Sequence, residues 1–211
     1  MDELGWSPLL QVSDIGVTVR DGVVTLTGNV DSYAKKVEAQ RCAERIVGVK
    51  AVAVDITVGI SPEHRRTDTE IAEAVVKTLN MHTSIPENTL QVTVEDGTVT
   101  LEGEVEWEYQ RAAAKNAIQH FAGVKNVWNF IRLKPRLAPK DIREKIKAAF
   151  ERSAKIDAGR IVVTTYGTQV TLTGAVASLA EKEDAEYAAW SAPGVTMVIN
   201  NLYVQEEAFA F

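Results

Sequence analysis

Apolar and polar residues alternate in three stretches of this chain and switch to a helical spacing after each one. Ile15, Val17 and Val19 alternate with small or polar residues, and Val24, Leu26 and Val30 alternate with Thr25, Thr27 and Asn29. A period of two predicts paired strands that bury one face. The phrase VTVRDGVVTLTG at 17–28 returns as VTVEDGTVTLEG at 92–103 and as VTTYGTQVTLTG at 163–174. Asp21-Gly22 and Asp96-Gly97 fall between the strands. Asp-Gly suits a tight type I′ hairpin, which needs positive φ at both central residues. The third copy reads Tyr166-Gly167-Thr168-Gln169 there, which predicts a longer or bulged turn.

Behind each hairpin the apolar spacing becomes 3, 4 and 7, the signature of one helical face. The stripe is Ala39, Cys42, Ala43, Ile46 in the first copy, then Ala114, Ala117, Ile118, Phe121, then Ala185, Ala188, Ala189, Ala192. Such small side chains predict close approach of helix to sheet. Asp31 and Ser178 are candidate N-caps. Each helix is expected to stop at the glycine of a Gly-Val pair, Gly48, Gly123 or Gly194, and a third strand follows over 49–58, 124–133 and 195–204. With Gly22, Gly97 and Gly167 in the hairpins and Gly28, Gly103 and Gly174 closing the repeated phrase, all nine glycines read as structural turn positions.

The second and third copies also open with a helix. Thr67 and Glu70 form a capping-box pattern ahead of Ile71, Val75 and Leu79. Ile142, Ile146 and Phe150 occupy the matching places 71 residues later, and Pro139 fits the first turn of that helix. In the first copy the equivalent of Leu79 is Leu4, so most of that helix would lie before Met1. The fold class is therefore α+β: three tandem modules of helix–strand–strand–helix–strand, the first lacking most of its N-terminal helix. Their expected bounds are 1–60, 67–134 and 138–205, joined by short linkers that carry Pro62, Pro135 and Pro139. Without a full helix, module one has only Leu4, Trp6, Leu9 and Leu10 to cover its sheet. A neighbouring module, the tail 208–211 or a second chain should supply the missing cover. The last option predicts a homo-oligomer through module one.

The element order, the phrase DGxVTLxG at 21–28 and 96–103, and the later Gly-Val pair resemble the BON domain, named for bacterial osmotically induced and nodulation proteins. YGTQVTLTG at 166–174 departs from the pattern, as does the missing helix of module one. The resemblance covers nearly the whole chain. It implies a non-catalytic protein that binds an anionic phospholipid surface, an envelope protein or, in one branch of the family, potassium. It also implies a periplasmic or lipid-anchored setting. The family's lipid-binding residues follow no fixed motif, so none is carried over.

Charge and chemistry narrow the picture further. The net charge is −6, with 6 basic and 8 acidic residues in 1–60, 9 and 11 in 61–136, and 8 and 10 in 137–211. No segment is basic enough to suggest nucleic acid, and the GxxG loop of an RNA-binding KH domain is absent. No apolar run reaches the length of a membrane span. The segment after Met1 is short and acidic, unlike a signal peptide, which reads as cytoplasmic, or as periplasmic if a leader has been removed. The sequence holds no phosphate-binding glycine loop, HExxH or GxSxG motif. His64, His82 and His120 have no histidine counterparts in the other copies, and Cys42 stands where alanine stands elsewhere. Neither a metal, a cofactor nor an active site is expected.

Glu102, Glu104, Glu106 and Glu108 read as a solvated acidic face, and Trp128, Phe130 and Trp190 as packing residues. Trp107 and Tyr109 are the binding candidates. They stand where the sister modules have Ser32 and Ser178, and Ala34 and Ala180, so the module's own core does not require them. The leading expectation is a stress-linked array that binds a membrane surface or an envelope protein. The alternative is a self-associating scaffold or chaperone-like protein that holds client polypeptides.

Overall fold

The structure, a computed structural model, describes residues 2–86, 88–134 and 141–205. Module one contains α1 (Asp2–Gly5), β1 (Ile15–Arg20), β2 (Val23–Val30), α2 (Tyr33–Glu44) and β3 (Ala51–Val58). Module two contains α3 (Asp68–Met81), β4 (Leu90–Glu95), β5 (Thr98–Val105), α4 (Glu108–Ile118) and β6 (Asn126–Leu133). Module three contains α5 (Ile142–Arg152), β7 (Ile161–Tyr166), β8 (Gln169–Val176), α6 (Leu179–Trp190) and β9 (Met197–Val204). The fold is α+β in three repeated modules. Pro135, Pro139 and the tail 208–211, which carry expectations above, lie outside the described residues.

Each sheet has its strands in chain order, β1-β2-β3, β4-β5-β6 and β7-β8-β9. In modules two and three the hairpin pair is antiparallel and the helix-linked pair is parallel. A parallel neighbour needs a crossover, which the second helix supplies. The inward positions Val99, Leu101 and Val105 meet Ile71, Val75 and Leu79 of α3 and Ala114 and Ile118 of α4 in one buried cluster. Val170, Leu172 and Val176 do the same with Ile142, Ile146, Phe150, Ala185 and Ala189. Buried alanines on the second helix let its backbone lie close to the strands, as the small stripe predicts.

The hairpins carry one correction. Asp21 and Gly22, and Asp96 and Gly97, all have positive φ, as type I′ turns require. The third hairpin is no longer than these. Tyr166 pairs with Gln169 just as Glu95 pairs with Thr98, leaving a two-residue turn of Gly167 and Thr168. Gly167 has φ of 59° at the first central position, the type II′ pattern, so glycine has moved one place rather than the loop growing.

The second helices end earlier than the glycine signal suggests. They stop at Glu44, Ile118 and Trp190. Gly48, Gly123 and Gly194 stand at the third position of a β-turn closed by Val49, Val124 and Val195 donating to Ile46, Phe121 and Ala192. Ala192-Pro193-Gly194-Val195 shows the logic: proline sets the second position, and glycine takes the positive φ of 88°. Ile46 therefore lies in an exposed turn instead of on the buried helical face. Asp31 is likewise not the cap. α2 starts at Tyr33, and Asp31 pairs with Lys35 at 2.7 Å, which lowers the Asp31 pKa.

Gly28, Gly103 and Gly174 do a different job inside β2, β5 and β8. Their φ values are 134°, 132° and 129°, and a Cβ at any of them would collide with a backbone carbonyl oxygen, that of Asp14, Thr89 or Arg160. Here the backbone approach itself forbids a side chain.

The chain packs as two compact units. One takes the N-terminal stretch to Gly16, Thr27–Ala39 and Asp55–Lys134, and the other takes Val17–Leu26, Gln40–Val54 and module three. Within the first, Leu4 and Leu10 are buried, and Tyr33 and Val37 of α2 join the core of module two. Within the second, the Gly48 N–H donates to the Ala177 carbonyl at 3.0 Å. Residues of module one are thus absorbed into the packing of its neighbours.

Two glycines separate the two kinds of constraint. Gly103→Ala is expected to cost about 3 kcal/mol or more, because strain at positive φ adds to a backbone collision. Gly48→Ala should cost only about 1 kcal/mol, since a Cβ there meets nothing within 4 Å and only the left-handed backbone penalty remains. Urea unfolding midpoints of the two variants check the difference.

Candidate functional site

Helices cover one face of the sheets in modules two and three and leave the other to solvent. Strand alternation fixes which side chains stand there. In module two the register places Thr100 beside Trp128, Glu102 beside Phe130 and Glu104 beside Arg132, with Glu95 one row away beside Thr98. Trp128 is 53% exposed and Phe130 58%, and their rings stack at 6.4 Å with planes 10° apart. They are not packing residues as their size suggests. Their parity on β6 is that of Asn126 and Arg132, while Val127 and Ile131 point to the core, and that alternation is the signal that locates them. Trp190, by contrast, packs against the core of module three.

The outward faces differ between modules although the inward ones do not. Module three shows Val162, Tyr166, Met197, Ile199 and Tyr203 at its surface, and no outward position of β7, β8 or β9 is charged. Module one shows Ala51, Ala53, Asp55 and Thr57 on β3. Of the acidic run, Glu102, Glu104 and Glu106 are exposed, but Glu108 is buried in the first turn of α4 and pairs with Arg111 at 2.8 Å.

Trp107 and Tyr109 sit at the start of α4. Trp107 is the N-cap residue and half-buried, without a side-chain capping bond, and Tyr109 is 49% exposed. The tie at this helix start is Gln110, which sequence reasoning missed. Its buried side chain accepts from the N–H groups of Glu106 and Trp107 and donates to the Ser84 carbonyl at 3.0 Å. Its counterpart Glu181 accepts from Ala177 and Asp157, each at 2.7 Å, while Ser178 caps α6 as expected. Both fasten the loop before the hairpin to the second helix.

A second repeated tie involves Asn129 and Asn200. Asn129 donates to the Arg111 carbonyl of α4 and accepts the N–H of Ile131 in its own strand. Asn200 repeats this with Lys182 and Leu202 and adds a bond to Glu186. Val54 occupies the place in module one. The paired occurrence 71 residues apart was the available signal.

Two surface grooves are lined by charged side chains. One, of 510 Å³, is lined by Arg65, Arg66 and Lys125 together with Asp68, whose carboxylate accepts from the turn N–H groups of Asp96 and Gly97. Beside it the Thr67 backbone N–H donates to Glu70, and this bond holds the Glu70 carboxyl below its usual pKa. The other, of 660 Å³, mixes Arg41, Arg45 and Lys155 with Glu44, Glu181 and Asp184. His64 bonds Ser61, and Cys42 is buried. Among the described residues no group of three His, Cys, Asp or Glu side chains is placed to hold a metal ion, and no helix is long and apolar enough to cross a membrane.

The model of the BON domain matches three times, over residues 1–60, 67–135 and 140–206. The chain belongs to the BON domain family. Among curated relatives, Osmotically-inducible protein Y of Escherichia coli is 30% identical over 129 residues, which span 59% of this chain and 64% of that protein. An uncharacterized protein of Anaplasma centrale is 29% identical over 125 residues, 58% of this chain and 83% of the relative. Two structures of CdsD, a structural protein of the type III secretion system of Chlamydia trachomatis, align over 92% and 95% of this chain, and over 91% and 88% of theirs. Their identities are 15% and 16%, and their TM-scores of 0.28 and 0.27 are low.

The asparagine ties of BON modules two and three carry a prediction. Asn200→Ala strips an acceptor from Leu202 and a donor from the Lys182 carbonyl, and should cost about 1–3 kcal/mol. Asn129→Ala should behave alike. Hydrogen exchange at Leu202 and Ile131, with urea unfolding, measures both.

Proposed function

We propose that this BON protein is a non-catalytic binding protein of the stress response that holds polypeptide segments, envelope proteins among them, on its open sheet faces. The carrying observation is the contrast between the faces. Val24, Leu26 and Val30 return inward as Val99, Leu101 and Val105 and as Val170, Leu172 and Val176. Outward, the same scaffold shows mainly small and polar residues with Arg20 and Asp55, then aromatics among carboxylates, then uncharged residues with Val162, Met197 and Ile199 among them. Large apolar side chains held in water on a sheet with no helix over them favour an interaction surface. Three unlike faces on one scaffold suit three unlike segments. The likeness to Osmotically-inducible protein Y supports the stress setting.

The expected anionic phospholipid surface is a second reading, favoured by the groove of Arg65, Arg66 and Lys125. Vesicle sedimentation beside binding of an unfolded, reduced and alkylated model polypeptide separates the two. We expect micromolar polypeptide binding that persists without vesicles. Salt-sensitive binding to anionic vesicles with no polypeptide binding defeats the first reading. For this second reading, Tyr109→Ala is expected to weaken vesicle binding without lowering the melting temperature, whereas Trp107→Ala lowers both because the indole is half-buried.

Self-association through module one belongs to the same proposal. Trp6 is 83% exposed and Leu9 51%, beside the buried Leu4 and Leu10. Light scattering at micromolar concentration should report a dimer that Trp6→Ser with Leu9→Ser converts to monomer. A monomeric parent protein at that concentration sinks this part.

A further inference from the structure

Of the three outward faces, that of module two says most about its ligand. We infer that it receives a lysine- or arginine-bearing stretch of extended polypeptide, with Trp128 and Phe130 as the platform and Glu95, Glu102 and Glu104 as the counter-charges. This rests on the polypeptide reading above and names the class of segment.

The size of the face comes first. Three strands spaced about 4.8 Å apart make a strip about 10 Å wide between outer strand axes, and eight residues at about 3.3 Å each make it about 26 Å long. A strip of that shape fits one extended chain. It falls well short of the roughly 800 Å² per partner of a stable interface between globular proteins, which argues against a second folded copy.

Charge decides the chemistry. Among the outward positions of β4, β5 and β6 there are three carboxylates, Glu95, Glu102 and Glu104, and one cation, Arg132, which stands beside Glu104. Glu102 is the lateral neighbour of Phe130, one strand away. An ammonium or guanidinium over the ring faces therefore meets the negative side of the aromatic quadrupole and a nearby carboxylate together. The two rings lie parallel and stay in water, so the platform exists before the ligand arrives. Pre-organisation of this kind reduces the ordering cost of binding.

The same features exclude the obvious competitor. Aromatic side chains on an open sheet also stack the bases of single-stranded RNA. Here the phosphates would approach three carboxylates with one arginine to offset them, an unfavourable balance for a polyanion. Nor does a wholly neutral segment suit this face as it would that of module three, whose outward positions carry no charge.

The test uses the intact chain and fluorescence anisotropy of labelled ten-residue peptides that alternate leucine with lysine, glutamine or glutamate. We expect the lysine peptide to bind about tenfold more tightly than the glutamine peptide, the glutamate peptide to bind weakest, and the preference to shrink as salt rises. Trp128→Thr with Phe130→Thr should abolish the lysine-peptide signal at unchanged melting temperature, both side chains being exposed. Glu102→Gln with Glu104→Gln should keep binding but remove the preference. Equal affinity for lysine and glutamine peptides, or lysine-peptide binding untouched by the Trp128 and Phe130 variants, overturns this inference and leaves the polypeptide reading standing. Absence of binding to any peptide overturns both. A single-stranded oligonucleotide that binds and is lost with Trp128→Thr overturns the assignment of ligand class.

Discussion

A backbone carbonyl lies where a side chain would start at Gly28, Gly103 and Gly174, and the rest of each module depends on that close pass. In module two it sets Leu90 opposite Gly103, and in module three Ile161 opposite Gly174. From that pairing the whole hairpin register follows. A slip of one residue would carry every inward side chain of the strand to the outside. The contact therefore decides that Val99, Leu101 and Val105 build a core while Thr100, Glu102 and Glu104 meet water. The third strand copies this division, because its parallel register on β5 or β8 is fixed in turn. The location of Trp128 and Phe130 in solvent is thus a consequence of a glycine on the neighbouring strand.

Much of the fold was legible because repetition supplies its own control. A valine or leucine that returns at the same place three times marks a core position, and the period-two and helical spacings were long enough to separate strand from helix. Where a single local signal stood in for geometry, the reading erred. A glycine near a helix end was read as its cap, although here it serves a separate turn four to five residues beyond the last helical residue. The YGTQ segment looked like an insertion because its glycine had moved by one place, yet the chain keeps the same length and merely trades a I′ turn for II′ geometry. Asp31 had the chemistry of a cap but stands one residue too early, since Ser32 is the residue before the helix.

The site was harder to read than the fold. Size argued that Trp128 and Phe130 belonged inside, and composition gave no reason to place them otherwise. Only the parity of β6, set by Val127 and Ile131 on one side and Asn126 and Arg132 on the other, puts them outside. Trp107 and Tyr109 were singled out by comparison with their sister modules, but that comparison cannot tell a cap position from a contact surface. Gln110, Glu181, Asn129 and Asn200 escaped notice because a polar residue that crosses from helix to loop or strand leaves no periodic trace. Comparison between modules two and three finds the asparagine pair only once the offset of 71 residues is taken seriously.

The asparagine ties also bear on how quickly a ligand can come and go. Because Asn129 already accepts the N–H of Ile131, and Asn200 that of Leu202, part of the outer rim of β6 and β9 is closed to backbone pairing with an incoming strand. Growth of these sheets sideways would first require those bonds to break. A polypeptide held on the open face, as proposed, would instead meet outward side chains, and its departure would leave those asparagine bonds intact. Under that proposal, residence times would be governed by a few local contacts, and a chain that carries several such faces would gain retention from number rather than from depth.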